Sequence, residues 1–281
     1  MDRTGSNSQP QAVAVIPARY SSTRLPGKPL LSIAGKPLIV WVAERARAAK
    51  NISRTIVATD DPRIVDAVNA VGIDAVITRA DHPSGTDRIA EVAHNLHVDI
   101  IVNVQGDEPL IDPATIDRAV EALVNDPNAQ MSTTSEPISE ASEVFNRSVV
   151  KVEVDAHGYA TNFSRNPIPW PNQAVAKHGS IEAALGADPA LLFSFRKHTG
   201  LYAYRREFLL EFASWPPSES EKAESLEQLR ALDRGVKIRV VEAASQSIGV
   251  DTIEDLERVR ALVSEPRALA AEVATQVEKC T

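Results

Sequence analysis

Apolar positions along the first half of the chain alternate between two rhythms. Short apolar or β-branched runs at Ala12 to Ile16, Thr55 to Thr59, Ala75 to Thr78 and Asp99 to Val104 predict strands, the first broken by Pro17. Between them lie stretches with one-sided helical spacing. Leu38 to Ala49 places Leu38, Ile39, Val42 and Ala46 on one face, and Asp87 to His97 does the same with Ile89, Ala90, Ala93 and Leu96. Asp61-Pro62 opens a further helix that Gly72 stops, and Pro113 to Val124 is another. Strands alternating with helices of this length predict βαβ units, hence an α/β fold on a mostly parallel sheet flanked by helices. Right-handed crossovers then set every post-strand loop along one edge. The loops at Arg19, Asp60, Arg79 and Asp107 should line one crevice at the carboxyl ends of the strands, where open α/β sheets bind ligands.

The rhythm changes after Val124. Gln130 to Thr134, Val149 to Val154, Tyr159 to Arg165 and Thr199 to Tyr204 predict strands with few helices between them, an antiparallel subregion spanning about 130–205 and packed against the parallel sheet. Asp155-Ala156-His157-Gly158 suits a hairpin turn. Residues 172–195 carry no clean periodicity and predict no element. Glu221 to Asp233 predicts a helix, Val236 to Val241 a strand, and Thr252 to Val263 a helix opened by a Thr252/Asp255 capping box. Residues 1–11 read as a disordered tail, 12–264 as a single domain, and 265–281 as a carboxyl tail with a short helix from about Pro266.

Composition narrows the chemistry. A net charge of −8 and 5% aromatic residues argue against a nucleic-acid partner, which wants a basic face and stacking rings. The sole cysteine, Cys280, excludes a disulfide framework and a thiolate metal site. No signal-peptide core and no long apolar run occur, so a cytoplasmic protein without a membrane partner is expected. Charge is distributed unevenly, however. From Arg3 to Ala43 there is no Asp or Glu, where the chain average would place roughly five or six. Within that span Arg19, Arg24 and Lys28 share a loop with Ser21, Ser22 and Thr23, and Pro26, Gly27 and Pro29 keep it out of a regular helix. Cations, hydroxyls and free amides after a strand suit a polyanion such as a triphosphate. A solvated basic loop would account for the cations but not for the missing acids. Neither the P-loop nor the dinucleotide glycine fingerprint is present, so long cationic side chains must do the gripping. Asp107, in Gln105-Gly106-Asp107-Glu108-Pro109, is either a turn residue or a ligand for Mg²⁺, which favours a couple of carboxylates with phosphate oxygens. Asp251, also between an apolar run and a helix, is the best second carboxylate; its other role is to favour a helix start.

Taken together, IPARYSSTRLPGKP (Ile16 to Pro29), VATDD (Val57 to Asp61), TRADHPSGTDR (Thr78 to Arg88) and NVQGDEP (Asn103 to Pro109) resemble the 3-deoxy-manno-octulosonate cytidylyltransferases, or CMP-KDO synthetases. FSR (Phe163 to Arg165), HTGLYAYR (His198 to Arg205), LEQLR (Leu226 to Arg230) and VDTIEDLERVR (Val250 to Arg260) continue the likeness in order, from roughly Val13 to Val263. The resemblance implies a Rossmann-like nucleotidyltransferase fold and the reaction of CTP with the sugar acid KDO to give CMP-KDO and pyrophosphate, feeding lipopolysaccharide biosynthesis. It implies that Arg19, Ser21, Arg24, Lys28, Arg79, Ser84 and Gln105 bind the nucleotide and that Asp107 and Asp251 hold Mg²⁺. Arg19, Lys28, Asp107 and Asp251 become the catalytic set, while Arg165, His198, Tyr202, Glu227 and Gln228 hold the sugar acid. A homodimer is also implied. Other readings stand beside this one. A sialic-acid cytidylyltransferase would carry a loop closer to IPAR-x-G-S-K, and a nucleotide-sugar glycosyltransferase would carry D-x-D where Gly106-Asp107-Glu108 stands. A nucleotide-sensing module without turnover is a third.

Overall fold

The computed structural model describes residues 10–21 and 24–264. Ser22, Thr23, most of the expected amino-terminal tail and the whole expected carboxyl tail, with its short helix, lie outside them. The first half runs β1 (Ala12–Ala18), β2 (Ser32–Ile33), β3 (Lys36–Pro37), α1 (Leu38–Arg47), β4 (Ile52–Thr59), α2 (Pro62–Asn69), β5 (Asp74–Ile77), α3 (Gly85–His94), β6 (Ile100–Asn103) and α4 (Pro113–Val124). There follow β7 (Met131–Pro137), α5 (Ala141–Phe145), β8 (Lys151–Val154), β9 (Ala160–Ser164), α6 (Asn172–His178), α7 (Ile181–Ala187) and β10 (Arg196–Arg205). The chain continues through α8 (Arg206–Ser214), α9 (Glu219–Glu224), α10 (Leu229–Asp233) and β11 (Ile238–Glu242) to a helix α11 over 253–264.

Successive side chains of a strand point to opposite faces, and β1 shows how this builds three layers. Ala12, Ala14 and Ile16 enter one apolar cluster with α1, α2, α4 and α11, whereas Val13 and Val15 enter another with α3 and α8. Strands covered on both faces have no polar side to display, hence their near-continuous apolar runs. Among the described residues the main sheet reads β11-β7-β10-β6-β1-β4-β5, with β8 and β9 branching from β10. β6, β1, β4 and β5 pair in parallel, as do β11 and β7; β10 alone runs against its neighbours β6 and β7.

Several expectations need correction. The antiparallel part is not packed on the parallel sheet but is continuous with it, because β10 is inserted between β6 and β7. Pro17 does not end the first strand; it pairs in register with Ala58, and β1 continues to Ala18. Gln11 does not belong to a loose tail, since its carbonyl accepts from the Asp99 and Ile100 amides and its own N–H reaches Asp99 Oδ2 at 2.8 Å. Residues 172–195 form α6, α7 and a 3-10 turn over a small core of Ile138, Val144, Ile181, Leu185 and Phe195. Their side chains bury against this separate patch, which blurs any regular period. The helix expected from Glu221 to Asp233 is two helices, broken where Ser225 turns left-handed (φ 54°).

One buried pair anchors the loops of the crevice. Arg88, fully buried on α3, donates to Thr78 Oγ1 at 2.5 Å and to Asp60 Oδ2 at 3.1 Å. Asp60 Oδ1 in turn accepts the Tyr20 amide, and the Arg63 guanidinium stacks 3.6 Å from the centre of the Tyr20 ring. Removing one partner of a buried ion pair leaves the other charge uncompensated, so Arg88→Met should cost about 3–5 kcal/mol. Urea unfolding checks this; a loss below about 1 kcal/mol would reduce Arg88 to simple packing.

Candidate active site

The carboxyl ends of β1, β4, β6 and β7 and the reversed start of β10 meet at one rim. After β1 the chain turns back at Gly27, whose φ of 66° is left-handed and whose N–H donates to the Tyr20 carbonyl. A 3-10 turn over Lys28–Leu30 follows, with Pro29 second in it, and this fixes the backbone of Lys28. After β6 the backbone passes so close to β1 that a Cβ on Gly106 would fall 2.6 Å from the Pro17 carbonyl oxygen, so no larger residue fits there. Asp107 comes next, and its carbonyl accepts the Val250 amide at 2.9 Å, drawing the entry to α11 alongside. The capping box of α11 has formed, with Thr252 and Asp255 bonding each other's amides.

These restraints bring the two aspartates together. Lys28 Nζ lies 2.9 Å from Asp107 Oδ2 and 3.1 Å from Asp251 Oδ1, and Arg24 reaches the same Asp251 oxygen at 3.0 Å. The basic loop and both carboxylates thus converge. Arg19 points along the rim to the His82 carbonyl. Gln105 donates to the Gly200 carbonyl at 3.0 Å, across a bulge in β10 where Gly200 has φ 78°. Ser84 caps α3 in a capping box with Asp87. Arg79 is exposed and forks onto Asp81, and Ser21 is exposed.

A second group gathers beside α3. Glu227 accepts from Thr86 Oγ1 at 2.6 Å and from Ser84 Oγ at 3.3 Å; Gln228, next in the chain, and Tyr202 on β10 are both buried. Burial raises the Glu227 carboxyl, against the pull of Thr86 and Arg230. His198 Nε2 meets Thr133 Oγ1 at 2.9 Å, with Phe163 and Tyr202 against its ring; burial pushes its pKa down to about 3, which keeps it neutral. Arg165 donates to the carbonyls of Glu224, Arg147 and Ser225, bracing the break between α9 and α10.

Sequence reasoning missed the supporting residues. Glu136, buried at the end of β7, accepts the Ser247 amide at 3.1 Å and pairs with Lys197 at 3.0 Å, so it steadies the loop leading to Asp251. Glu221 holds Arg230 through both guanidinium arms, at 2.7 Å each. Buried Lys151 donates to three carbonyls, among them that of Arg165. The Glu136 bond to Ser247 spans more than a hundred residues, and none of these contacts belongs to a local motif that would announce it.

The chain matches the cytidylyltransferase family over residues 13–238. The 3-deoxy-manno-octulosonate cytidylyltransferase of Pseudomonas syringae pv. tomato is 51% identical to it over 253 residues, covering 89% of this chain and 96% of that one. The namesake from Geobacter sulfurreducens is 50% identical over 246 residues, covering 88% and 96%. A solved CMP:2-keto-3-deoxy-manno-octonic acid synthetase complexed with CTP superposes with a TM-score of 0.81 at 45% identity, over 91% of this chain and 99% of that one. A 4-diphosphocytidyl-2C-methyl-D-erythritol synthase from Anaerococcus prevotii, 14% identical with a TM-score of 0.57, shares the fold alone.

Glu108 gives the site a pH signature. Burial, then the like charges of Asp107 and Glu136, push its carboxyl up to about 8, against Ser247 and Lys197. The folded protein therefore holds this proton to higher pH than the unfolded chain, and stability drains away as pH rises from the ordinary carboxyl range to about 8. Glu108→Gln removes the titration. Urea midpoints in EDTA should favour the variant increasingly up to about pH 8 and then run parallel to wild type. A constant difference across that range would contradict the assignment.

Proposed function

We infer, from the premise that this chain belongs to the 3-deoxy-manno-octulosonate cytidylyltransferase family, that it is a nucleotidyltransferase joining CTP to KDO, with release of pyrophosphate. The convergence of Lys28, Arg24, Asp107 and Asp251 carries this reading at the level of chemistry. The anomeric hydroxyl of the sugar acid attacks the α-phosphorus while pyrophosphate leaves in line, a transfer that depends on positioning and charge stabilisation rather than on a covalent enzyme intermediate. Lys28 and Arg19 meet the charge that grows on the leaving pyrophosphate, and Arg24 grips the phosphates from the exposed end of the loop. Ser21, Arg79, Ser84 and Gln105 complete the nucleotide side in this proposal. Arg165, His198, Tyr202, Glu227 and Gln228 make up the sugar-acid side, in which neutral His198 and the Tyr202 phenol, held protonated by burial, offer hydrogen bonds without charge.

Magnesium is part of the proposal, and the donor set fits it. Asp107 and Asp251 present two hard carboxylates side by side around a cation, and Mg²⁺ takes one or two carboxylates together with substrate phosphates. Bound there, it supplies Lewis-acid charge to phosphate and hydroxyl oxygens. A homodimer, a cytoplasmic location and a role in lipopolysaccharide synthesis complete the proposal, supported by the family. Among the described residues no helix is long and apolar enough to cross a membrane.

Pyrophosphate release from CTP, assayed with KDO and with a sialic acid as acceptors, tests the reading: turnover with KDO alone is expected, and preference for the sialic acid overturns it. Lys28→Met should lower kcat by about 10²- to 10³-fold. Unchanged kcat with a normal melting point would remove Lys28 from the chemistry.

A further inference from the structure

The place between the two aspartates is held by a side chain. Lys28 Nζ is shared by Asp107 Oδ2 and Asp251 Oδ1, and Arg24 adds a second cation on Asp251. We propose that Lys28, seconded by Arg24, is the resident counter-ion of this pair in the nucleotide-free protein, which makes the site selective for a divalent cation arriving with a polyphosphate over the free cation. The proposal rests on the reading of Asp107 and Asp251 as metal ligands.

The charges balance, two carboxylates against two cationic side chains. A free divalent cation gains the aspartates only by pushing out an ammonium whose hydrogen bonds here go to both of them. Lys28 is mostly shielded from solvent (16% exposed side chain), so its pairing with the aspartates is screened less than an exposed pair would be. A polyphosphate changes the balance. Its oxygens accept from Lys28 and Arg24, the two cations turn toward it, and the aspartates are left with uncompensated charge that a hard cation answers. The lysine is suited to this because its backbone is fixed in the turn behind Gly27 while its four-carbon stem swings a compact charge. Linkage makes the effect mutual: cation and polyphosphate raise each other's affinity by one common factor. A lysine that merely repelled metal from a fixed place would weaken it equally with and without nucleotide.

Mn²⁺ serves as the probe, with protein-bound Mn²⁺ read by water-proton relaxation on metal-stripped full-length protein and the sugar acid omitted. Wild type should bind Mn²⁺ poorly alone and at least about 10-fold more tightly with CTP saturating. Lys28→Met should tighten Mn²⁺ about 10-fold without CTP and leave the affinity with CTP near that of wild type, erasing most of the coupling. Arg24→Gln, at an exposed position, should shift the same way by a smaller factor and keeps the test open should Lys28→Met fold poorly. Equal tightening in both states, or none in either, overturns the counter-ion role while leaving the aspartates as ligands. The double variant Asp107→Asn/Asp251→Asn reports on the premise: unaltered Mn²⁺ binding in the presence of CTP would remove the metal site itself.

Discussion

One ammonium nitrogen shared by two carboxylates ties together segments from opposite ends of the chain. Lys28 comes from the turn after β1, Asp107 from the turn after β6, and Asp251 from the entry to α11. Three backbone constraints make the meeting obligatory. β1 and β6 are parallel neighbours, so both chains emerge at the same edge. Gly106 lets the second turn lie directly on the Pro17 carbonyl, and the Val250 amide bonds to the Asp107 carbonyl. Arg260 then fixes α11 from below by donating to the Ser32 carbonyl from two nitrogens. Sheet order thus brings Lys28 and Asp107 together, and the Val250–Asp107 backbone bond adds Asp251 from beyond the edge strand β11.

β10 supplies what a purely parallel sheet would not. Running in the opposite sense, it delivers its first residues rather than its last to the rim, so His198 and Gly200 face the ends of β6 and β7. The left-handed Gly200 opens a bulge between His198 and Tyr202, and the carbonyl it exposes is taken by Gln105. The polar side chain that closes β6 is thereby linked to the strand that carries the second group of residues. Phosphate-binding loop and sugar-binding strand, in the proposed reading, belong to one continuous hydrogen-bonded sheet and cannot drift apart independently.

The legibility of this arrangement in the sequence follows the range of the interactions. Strand–helix alternation up to Val124 is local, and the caps at Asp61 and Thr252 are set within a few residues, so periodicity and turn chemistry suffice. The absence of acids from Arg3 to Ala43 was a real electrostatic signal, because the carboxylates that the loop meets come from elsewhere. Insertion of β10 between β6 and β7 depends on pairings about sixty to a hundred residues away, to which an apolar run gives no address. The break at Ser225 was hidden for a similar reason. The segments on either side have helical composition, and the break is held by Arg165 on the Glu224 and Ser225 carbonyls while Glu221 folds α10 back onto α9 through Arg230. Arg88, Glu136 and Lys151 were unreadable as buried groups, since a charged residue in sequence reads as surface until its partner is known.

Burial divides the rim into two electrostatic halves. Arg24, Asp107 and Asp251 are partly open to solvent, with the more sheltered Lys28 between the two carboxylates, so a polyanion reaches this half from water. Around β10 the opposite holds: His198 has its pKa pushed down to about 3 and the Tyr202 and Tyr204 phenols are raised, all by burial, so none carries charge near neutrality. A wall of neutral donors and acceptors suits a polyhydroxylated molecule, whose hydroxyls need hydrogen bonds but no counter-ion. In the proposed reading the ligand also carries a carboxylate, which needs one, and Arg165 stands two residues beyond Phe163, whose ring meets His198. Nε, Nη1 and Nη2 each donate once to a carbonyl, which orients the guanidinium and leaves two of its five N–H groups to spare. A cation so braced offers a fixed fork to a carboxylate, whereas Lys28, on a flexible stem, can follow a phosphate. The two halves therefore differ in kind, one neutral and buried around β10, the other charged and open to solvent around Asp107 and Asp251.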